Sequence, residues 1–208
     1  MNLVVEKKDY QKDGSRFHSS ERAVELPLGQ RFYNEFKDDE LIEVGSVLEN
    51  LNLLNHPVVD LGPSKSFNHI KQDALGINYT NKSVLSMSTI EHVGDFELRG
   101  NFNHIYDSIK LLQKIHSQSS RYLITYPVGY SLFQPTHYNP LDLFLAKKSS
   151  DYNMAFYIKK RGTLCAGGGK YTEPEWKLST ECDPKYFKFN YGCPFKGATI
   201  LVVIYNNI

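Results

Sequence analysis

Short runs of consecutive apolar residues recur along the chain and predict β-strands that are covered on both faces. An uninterrupted apolar run is typical of a strand with no solvent-exposed side. Six such runs are found, at 41–45, 57–61, 83–88, 121–126, 153–158 and 199–205. The last run is almost continuously aliphatic and β-branched, which suits a strand inserted inside a sheet and not one at its edge.

Apolar residues at helical spacing lie between and before these strands. The clearest pattern predicts a helix over 101–117, capped at its start by Asn101. Its apolar positions recur at steps of three and four residues: Phe102, Ile105, Ile109, Leu112 and Ile115. A turn and a short helix are predicted over 26–37. Because strands alternate with helical segments, we expect β-α-β units and a mainly parallel sheet.

The first 25 residues differ from the rest of the chain. They are polar and mixed in charge, and the sequence Asp13-Gly14-Ser15 within them is a turn signal. We predict a loosely ordered N-terminal arm over 1–25, followed by a single domain over 26–208. A domain of that length buries enough surface to fold without disulfides or metals.

Charge and cysteine content narrow the classes of function. The 208 residues include 24 Lys+Arg and 23 Asp+Glu, for a formal net charge of +1. Such a balance disfavours nucleic acid or an anionic membrane as the main partner. No apolar run approaches the ~18 residues of a membrane-spanning helix, and no signal-peptide pattern is visible. Three widely spaced cysteines, Cys165, Cys182 and Cys193, are typical of a reducing compartment, so we expect a cytoplasmic protein.

Polar residues and glycines collect where the predicted strands end. In an open parallel sheet, ligands bind outside the carboxyl ends of the strands. The first strand ends in Glu43, Gly45 and Ser46, the second ends at Asp60, and the third runs into 86–94. Acidic residues at the first two ends suit a ligand with ribose hydroxyls or an amine.

The order and spacing of these blocks resemble those of class I S-adenosylmethionine (SAM)-dependent methyltransferases. The resemblance spans 26–206 and is closest to small, poorly characterised members with an EVGxVL first loop, here 43–48, and an STxEHVG block, here 88–94. It implies a Rossmann-like α/β fold whose seven-stranded, mostly parallel sheet has the order 3-2-1-4-5-7-6, with helices on both faces. It also implies SAM as the cofactor.

The resemblance further implies roles for the residues at the first strand ends. Glu43, Gly45 and Ser46 would belong to the first SAM loop, beside the methionine part of the cofactor. Asp60 would bind the ribose hydroxyls through its two carboxylate oxygens. Asp73 would lie near the adenine.

On the acceptor side, the resemblance implies that Ser86 and Ser88 line the pocket beside the sulfonium and that Glu91 and His92 face the acceptor. His92 is the candidate base, because an imidazole takes up a proton near neutral pH. The alternative is a histidine that only packs, beside a carboxylate that starts a helix. Three residues after the fourth strand are candidates for the acceptor pocket: Tyr130, His137 and Tyr138.

The first loop departs from the usual E/D-x-G-x-G-x-G pattern of the wider family. Val47 and Glu49 stand where two of the three glycines are expected. Glycine permits a close backbone approach to a ligand, whereas valine is bulky and stiff. Two alternatives follow: the loop takes another path, or the affinity for SAM is low or lost.

The I-E-H-V sequence at 90–93 resembles that of enzymes that methylate hydroxyls or carbons of small molecules. The resemblance therefore implies methyl transfer to a small-molecule or glycan-type acceptor. No Asn/Asp-Pro-Pro-Phe/Tyr block follows 83–88, so amino methylation of nucleic acid is not indicated. No metal is expected: some methyltransferases bind a divalent ion through an E-x-x-E-H cluster, and here Ser88 stands at its first position, so the cluster is incomplete. The alternative is a metal site with His137 as a further ligand. One alternative is a non-catalytic methyltransferase-like binding or scaffold protein, favoured by the altered loop. The other is an RNA-directed methyltransferase, which the near-zero net charge disfavours.

Overall fold

Eight strands form one sheet in the computed structural model of this chain, which describes residues 1–6, 9, 21–94, 106–128, 140–160, 175–179 and 200–208. The strands are β1 (Leu41–Val44), β2 (Pro57–Val59), β3 (Asn68–Ile70), β4 (Ser83–Met87), β5 (Arg121–Pro127), β6 (Asn153–Lys160), β7 (Glu175–Ser179) and β8 (Ile200–Asn206). The described α-helices are α1 (Arg22–Phe36), α2 (Asp107–Gln118) and α3 (Pro140–Lys147). Short 3₁₀ helices lie at Val47–Leu51, Ala74–Gly76, Ile90–His92 and Ser149–Asp151.

The strand order is β3-β2-β1-β4-β5-β8-β6-β7, with β1 to β5 parallel and β8 antiparallel to both of its neighbours. The predicted α/β class is confirmed, as is the position of the last strand inside the sheet. The predicted number of seven strands is wrong, because β7 adds an eighth strand beyond β6. If β7 is left aside and the last strand is numbered seventh, the order is 3-2-1-4-5-7-6, as the resemblance implies.

Two strands carry little apolar signal, and for that reason the pattern of runs did not locate them. In β7 only Trp176 is buried among the described side chains, and it alternates with exposed Glu175 and Lys177. The β3 strand is Asn-His-Ile at the opposite edge of the sheet. Edge strands are covered on fewer sides and do not need a continuous apolar run.

Side chains of the central strands alternate between two apolar clusters, one on each face of the sheet. In β8, Ile200, Val202 and Ile204 join one cluster, while Leu201 and Val203 join the other. Helices α2 and α3 contribute to the first cluster and α1 to the second. Burial on both faces explains why these strands are apolar at successive positions.

Helix α1 begins at Arg22, four residues before the turn that the sequence predicts, and the predicted boundary after residue 25 falls inside it. Pro27 lies within the helix and removes one backbone hydrogen bond. Burial of Ala23, Val24 and Leu28 against the sheet outweighs that loss, since tertiary packing supplies most helical stability. The division into arm and domain stays a prediction.

The first residues of the chain pack against α1 and β6. Arg31 donates hydrogen bonds to the carbonyls of Asn2 (3.1 Å) and Val4 (2.5 Å), and the Tyr157 hydroxyl donates to the Leu3 carbonyl. Val5 is buried. These contacts join residues 1–6 to α1 and β6, and the arm over 1–25 stays a prediction.

The described part of the predicted 101–117 helix is α2, whose Leu112 and Ile115 are buried as expected. Its first residue is Asp107, preceded by Tyr106, whereas the predicted cap Asn101 lies outside the described residues. Within the described ranges, no helix is long and apolar enough to cross a bilayer.

Candidate functional site

A cleft opens at the carboxyl ends of β1, β2 and β4. Its empty space measures about 640 Å³, part of which is open to solvent. Its apolar wall consists of Val44, Val59, Leu61, Ala74 and Val93. Its polar side chains are those of Asp60, Gln72, Asp73, Thr89, His92 and Asp107. Three of the predicted site residues, Asp60, Asp73 and His92, thus line one cleft.

Asp60 follows β2 and is fixed by hydrogen bonds of its backbone and its side chain. Its N–H donates to the Ile70 carbonyl (3.3 Å), and its carbonyl accepts from His69 Nε2 (2.9 Å). Its carboxylate Oδ1 accepts the Gly62 N–H at 2.7 Å, which is an Asx turn. Oδ2 has no hydrogen-bond partner in the described part of the chain, so it can accept from a ligand.

Asp73 starts the 3₁₀ helix Ala74–Gly76 on the same side of the cleft. Its Oδ1 accepts the Leu75 N–H at 2.9 Å, as a capping aspartate does. The side chain is exposed, and Ala74 beside it belongs to the apolar wall. The cap fixes the position of the carboxylate at the edge of the cleft.

Gly45 lies where β1 passes closest to the segment after β4. Its φ is +89°, and its N–H donates to the Val59 carbonyl at 2.9 Å. A Cβ at this position would lie 2.1 Å from Thr89 Oγ1. Only glycine combines this backbone conformation with this close approach, so Gly45 shapes the cleft without lining it.

We expect Gly45→Ala to lower the free energy of unfolding by about 1–3 kcal/mol. The reason is that the backbone at position 45 is left-handed and that the added Cβ would clash with Thr89. Urea unfolding measures the change. Gly76→Ala is the matched control, since its Cβ would meet only the flexible Gln72 side chain. Equal stability of the two variants would contradict the expectation.

The first loop takes a path that needs no further glycine. It forms the 3₁₀ helix Val47–Leu51, in which Val47 and Leu48 are buried in the α1-side cluster. The buried Glu43 carboxylate holds this loop: Oε1 accepts the N–H groups of Val47 (2.8 Å) and Leu48 (2.9 Å). Its Oε2 lies 2.7 Å from Nε2 of buried His56. Glu43 is therefore behind the loop and does not line the cleft.

Glu49 also points away from the cleft. Its Oε1 accepts the Lys65 N–H at 2.6 Å and the Ser64 hydroxyl, which ties the loop to the segment before β3. Neither Val47 nor Glu49 lines the cleft. The sequence left two alternatives for this loop: a different backbone path, or a low or lost affinity for SAM. The arrangement of Val47 and Glu49 favours the different path.

A second group of predicted site residues lies at the carboxyl ends of β4 and β5, beside the start of α1. Ser88 has a φ of +41°, its N–H donates to the Thr125 carbonyl (2.9 Å), and its hydroxyl donates to Glu25 Oε1 (2.5 Å). The Thr125 hydroxyl donates to the same oxygen (2.6 Å), and Arg22 donates to Glu25 Oε2 (2.7 Å). Glu25 thus joins α1 to both strand ends.

Glu91 and His92 adjoin this group in the 3₁₀ helix Ile90–His92. His92 lines the cleft, and its Nε2 lies 3.8 Å from Oε1 of Glu91. Glu91 as a whole residue is 5% exposed. Burial raises the pKa of the Glu91 carboxyl well above its ordinary value, and the nearby Glu25 raises it further. Burial likewise raises the pKa of Glu25, which Arg22 partly offsets.

Two of the remaining predicted residues, Ser46 and Ser86, do not line the cleft. Ser86 is buried in β4 and Ser46 precedes the first 3₁₀ helix. Tyr130, His137 and Tyr138 lie outside the described residues. No group of three or more metal-ligating side chains occurs among the described residues.

The sequence reasoning missed four polar side chains of this region. Gln72, Thr89 and Asp107 line the cleft, and Glu25 connects the ends of β4 and β5. Thr89 stands inside the STxEHVG block, so the block itself was a signal for it. Asp107 and Glu25 stand in helical segments, where an acidic residue in the first turns is common for reasons of the helix dipole alone.

No protein-family description and no curated protein matches this chain. Among solved structures, the chain is similar to the crystal structure of magnesium protoporphyrin IX methyltransferase from Synechocystis PCC 6803 with bound SAM. The two are 9% identical, the comparison covers 98% of this chain and 99% of that one, and the TM-score is 0.35. A likeness of this size assigns no activity, so the function has to be argued from the chain's own residues.

Proposed function

We propose that the cleft binds SAM and that the chain transfers a methyl group to a hydroxyl or carbon of a small-molecule or glycan-type acceptor. The proposal rests on one observation: Asp60 and Asp73 line the same cleft, beside one apolar wall at the carboxyl ends of β1 and β2. Ligands of open α/β sheets bind at this edge.

The side chains of the cleft suit a nucleoside with positive charge. Val44, Val59 and Val93 form an aliphatic surface on which a flat heteroaromatic ring can pack. The Asp60 carboxylate can accept hydrogen bonds from ribose hydroxyls, and Asp73 can accept from an exocyclic amine. Carboxylates at the edge also favour a ligand that carries a cation, as SAM does at its sulfur and its amine.

The chain's contribution to methyl transfer would be positioning and proton uptake. When bound, SAM supplies the methyl group, which leaves sulfur for the acceptor atom while the electron pair of the broken bond stays on sulfur. Positioning of the two reactants can lower such a barrier by several kcal/mol. With a hydroxyl acceptor, the released proton passes to a base, and His92 in the cleft wall is the candidate.

Calorimetric titration of SAM and S-adenosylhomocysteine into the protein tests this proposal. We expect saturable binding of one ligand per chain for both compounds, with adenosine as a weaker ligand that occupies the same cleft. If neither compound binds at millimolar concentration, the enzyme hypothesis fails. The chain is then better treated as a non-catalytic member of this fold with a binding or scaffold role.

A further inference from the structure

Two buried glutamates from distant parts of the sequence lie in the region of the candidate base: Glu91 is its neighbour along the chain, and Glu25 accepts a hydrogen bond from Ser88. Glu25 comes from the first turns of α1, and Glu91 comes from the 3₁₀ helix after β4. The side chain of Glu25 is 0% exposed and that of Glu91 is 1% exposed. His92 lines the cleft, whereas Glu91 does not.

Glu25 has the partners that a negative charge requires. It accepts hydrogen bonds from the hydroxyls of Ser88 and Thr125 and from the guanidinium of Arg22. Hydrogen bonds to the ionised form and a nearby opposite charge both favour ionisation of a carboxyl. Of the two glutamates, Glu25 is therefore the one equipped to remain charged.

Glu91 lacks such partners. Neither of its oxygens has a hydrogen-bond partner of ordinary geometry among the described residues, and His92 Nε2 is 3.8 Å away. Burial is the main cause that disfavours its charge; its own backbone N–H and Arg22 favour the charge, and Glu25 and Glu21 disfavour it. An unpartnered carboxylate is costly to bury, so such a group takes up a proton instead.

We propose that Glu25 and Glu91 form a buried carboxyl pair in which Glu91 is held protonated at neutral pH and Glu25 is the positioning residue that keeps it so. A protonated carboxyl donates one hydrogen bond, whereas a carboxylate only accepts. Resting on the proposed function, a neutral Glu91 takes up no proton from the acceptor, so proton uptake is left to His92 in the cleft wall.

Infrared spectroscopy of the whole protein without ligands tests the pair, because a protonated carboxyl has a C=O stretching band separate from that of carboxylates. We expect this band in the wild type at pH 7 and its loss in Glu91→Gln. Glu40→Gln is the matched control, since Glu40 is exposed and pairs only with Lys82 among the described residues. A wild type without the band at pH 7, or a band that Glu91→Gln leaves in place, overturns the proposal.

Two further variants test the role of Glu25 through opposite shifts. Removing a like charge in Glu25→Gln should move the midpoint at which the band disappears to lower pH, by about one pH unit. Arg22→Gln removes the opposite charge and should move the midpoint to higher pH. A purely structural role of Glu25 would leave the midpoint unchanged, and that result would overturn its assignment.

Thermal unfolding provides a second readout if one variant folds poorly. The folded-state pKa of Glu91 is raised, so its contribution to stability is full below the unfolded pKa and is lost as the pH rises through the folded value. Glu91→Gln should therefore become more stable relative to the wild type as the pH increases from 4 to 8. A difference in melting temperature that does not change with pH would count against the pair.

These outcomes are independent of methyl transfer. If SAM does not bind but the protonated carboxyl is found, the proposed function fails and the carboxyl pair stands. If SAM binds and the band is absent, the function stands and the carboxyl pair fails.

Discussion

Asp60→Ala is expected to weaken the binding of SAM and S-adenosylhomocysteine roughly 10- to 100-fold. The reason is the loss of the carboxylate at the end of β2, since hydrogen bonds to a charged group contribute about 1.5–3 kcal/mol. Oδ1 is engaged by the Gly62 N–H and Oδ2 has no partner among the described residues. Removing the carboxylate should therefore lower mainly the affinity for the ligand. Calorimetric titration measures that affinity.

Two companion variants separate lost contacts from altered local structure. Asp60→Asn keeps an oxygen that can accept the Gly62 N–H but removes the charge, so it should lie between the wild type and Asp60→Ala. Asp39→Ala removes an exposed carboxylate that pairs with Arg121 at 2.6 Å, away from the cleft wall. It should leave affinity unchanged within about 2-fold. Unchanged affinity in Asp60→Ala would show that the ligand lies elsewhere.

Glu43→Ala should cause the largest loss of stability, about 3–5 kcal/mol in the free energy of unfolding, because it breaks a buried polar network. The substitution leaves the N–H groups of Val47 and Leu48 without their acceptor and His56 without its partner. For a chain of this size, each kcal/mol corresponds to about 2–4 °C in melting temperature. Thermal or urea unfolding measures the effect.

Variants at the same and at an exposed position serve as controls. Glu43→Gln retains an oxygen for the loop N–H groups and should lose distinctly less stability than Glu43→Ala. Glu40→Ala removes a carboxylate that is 71% exposed, and surface pairs of this kind contribute about 0–1 kcal/mol. If Glu43→Ala were as stable as Glu40→Ala, Glu43 would not be the residue that holds the first loop.

The sequence by itself determined the central strands, because a strand buried on both faces must be apolar at consecutive positions. The six predicted runs correspond to β1, β2, β4, β5, β6 and β8, with ends that differ by one or two residues. The same reasoning located Asp60, which directly follows β2, and His92, just beyond β4. Residues next to strand ends can be found from sequence, since their position depends on local order along the chain.

Tertiary structure alone decided which distant residues meet. Glu25 was predicted to lie in an arm, yet it bonds Thr125, 100 residues away, because α1 packs its buried face across β4 and β5. Glu43 turns toward His56 and the loop because burial leaves its carboxylate no solvent to contact. A single sequence does not encode such pairings locally. They arise only when the two faces of the sheet are covered and each buried polar group must find a partner there.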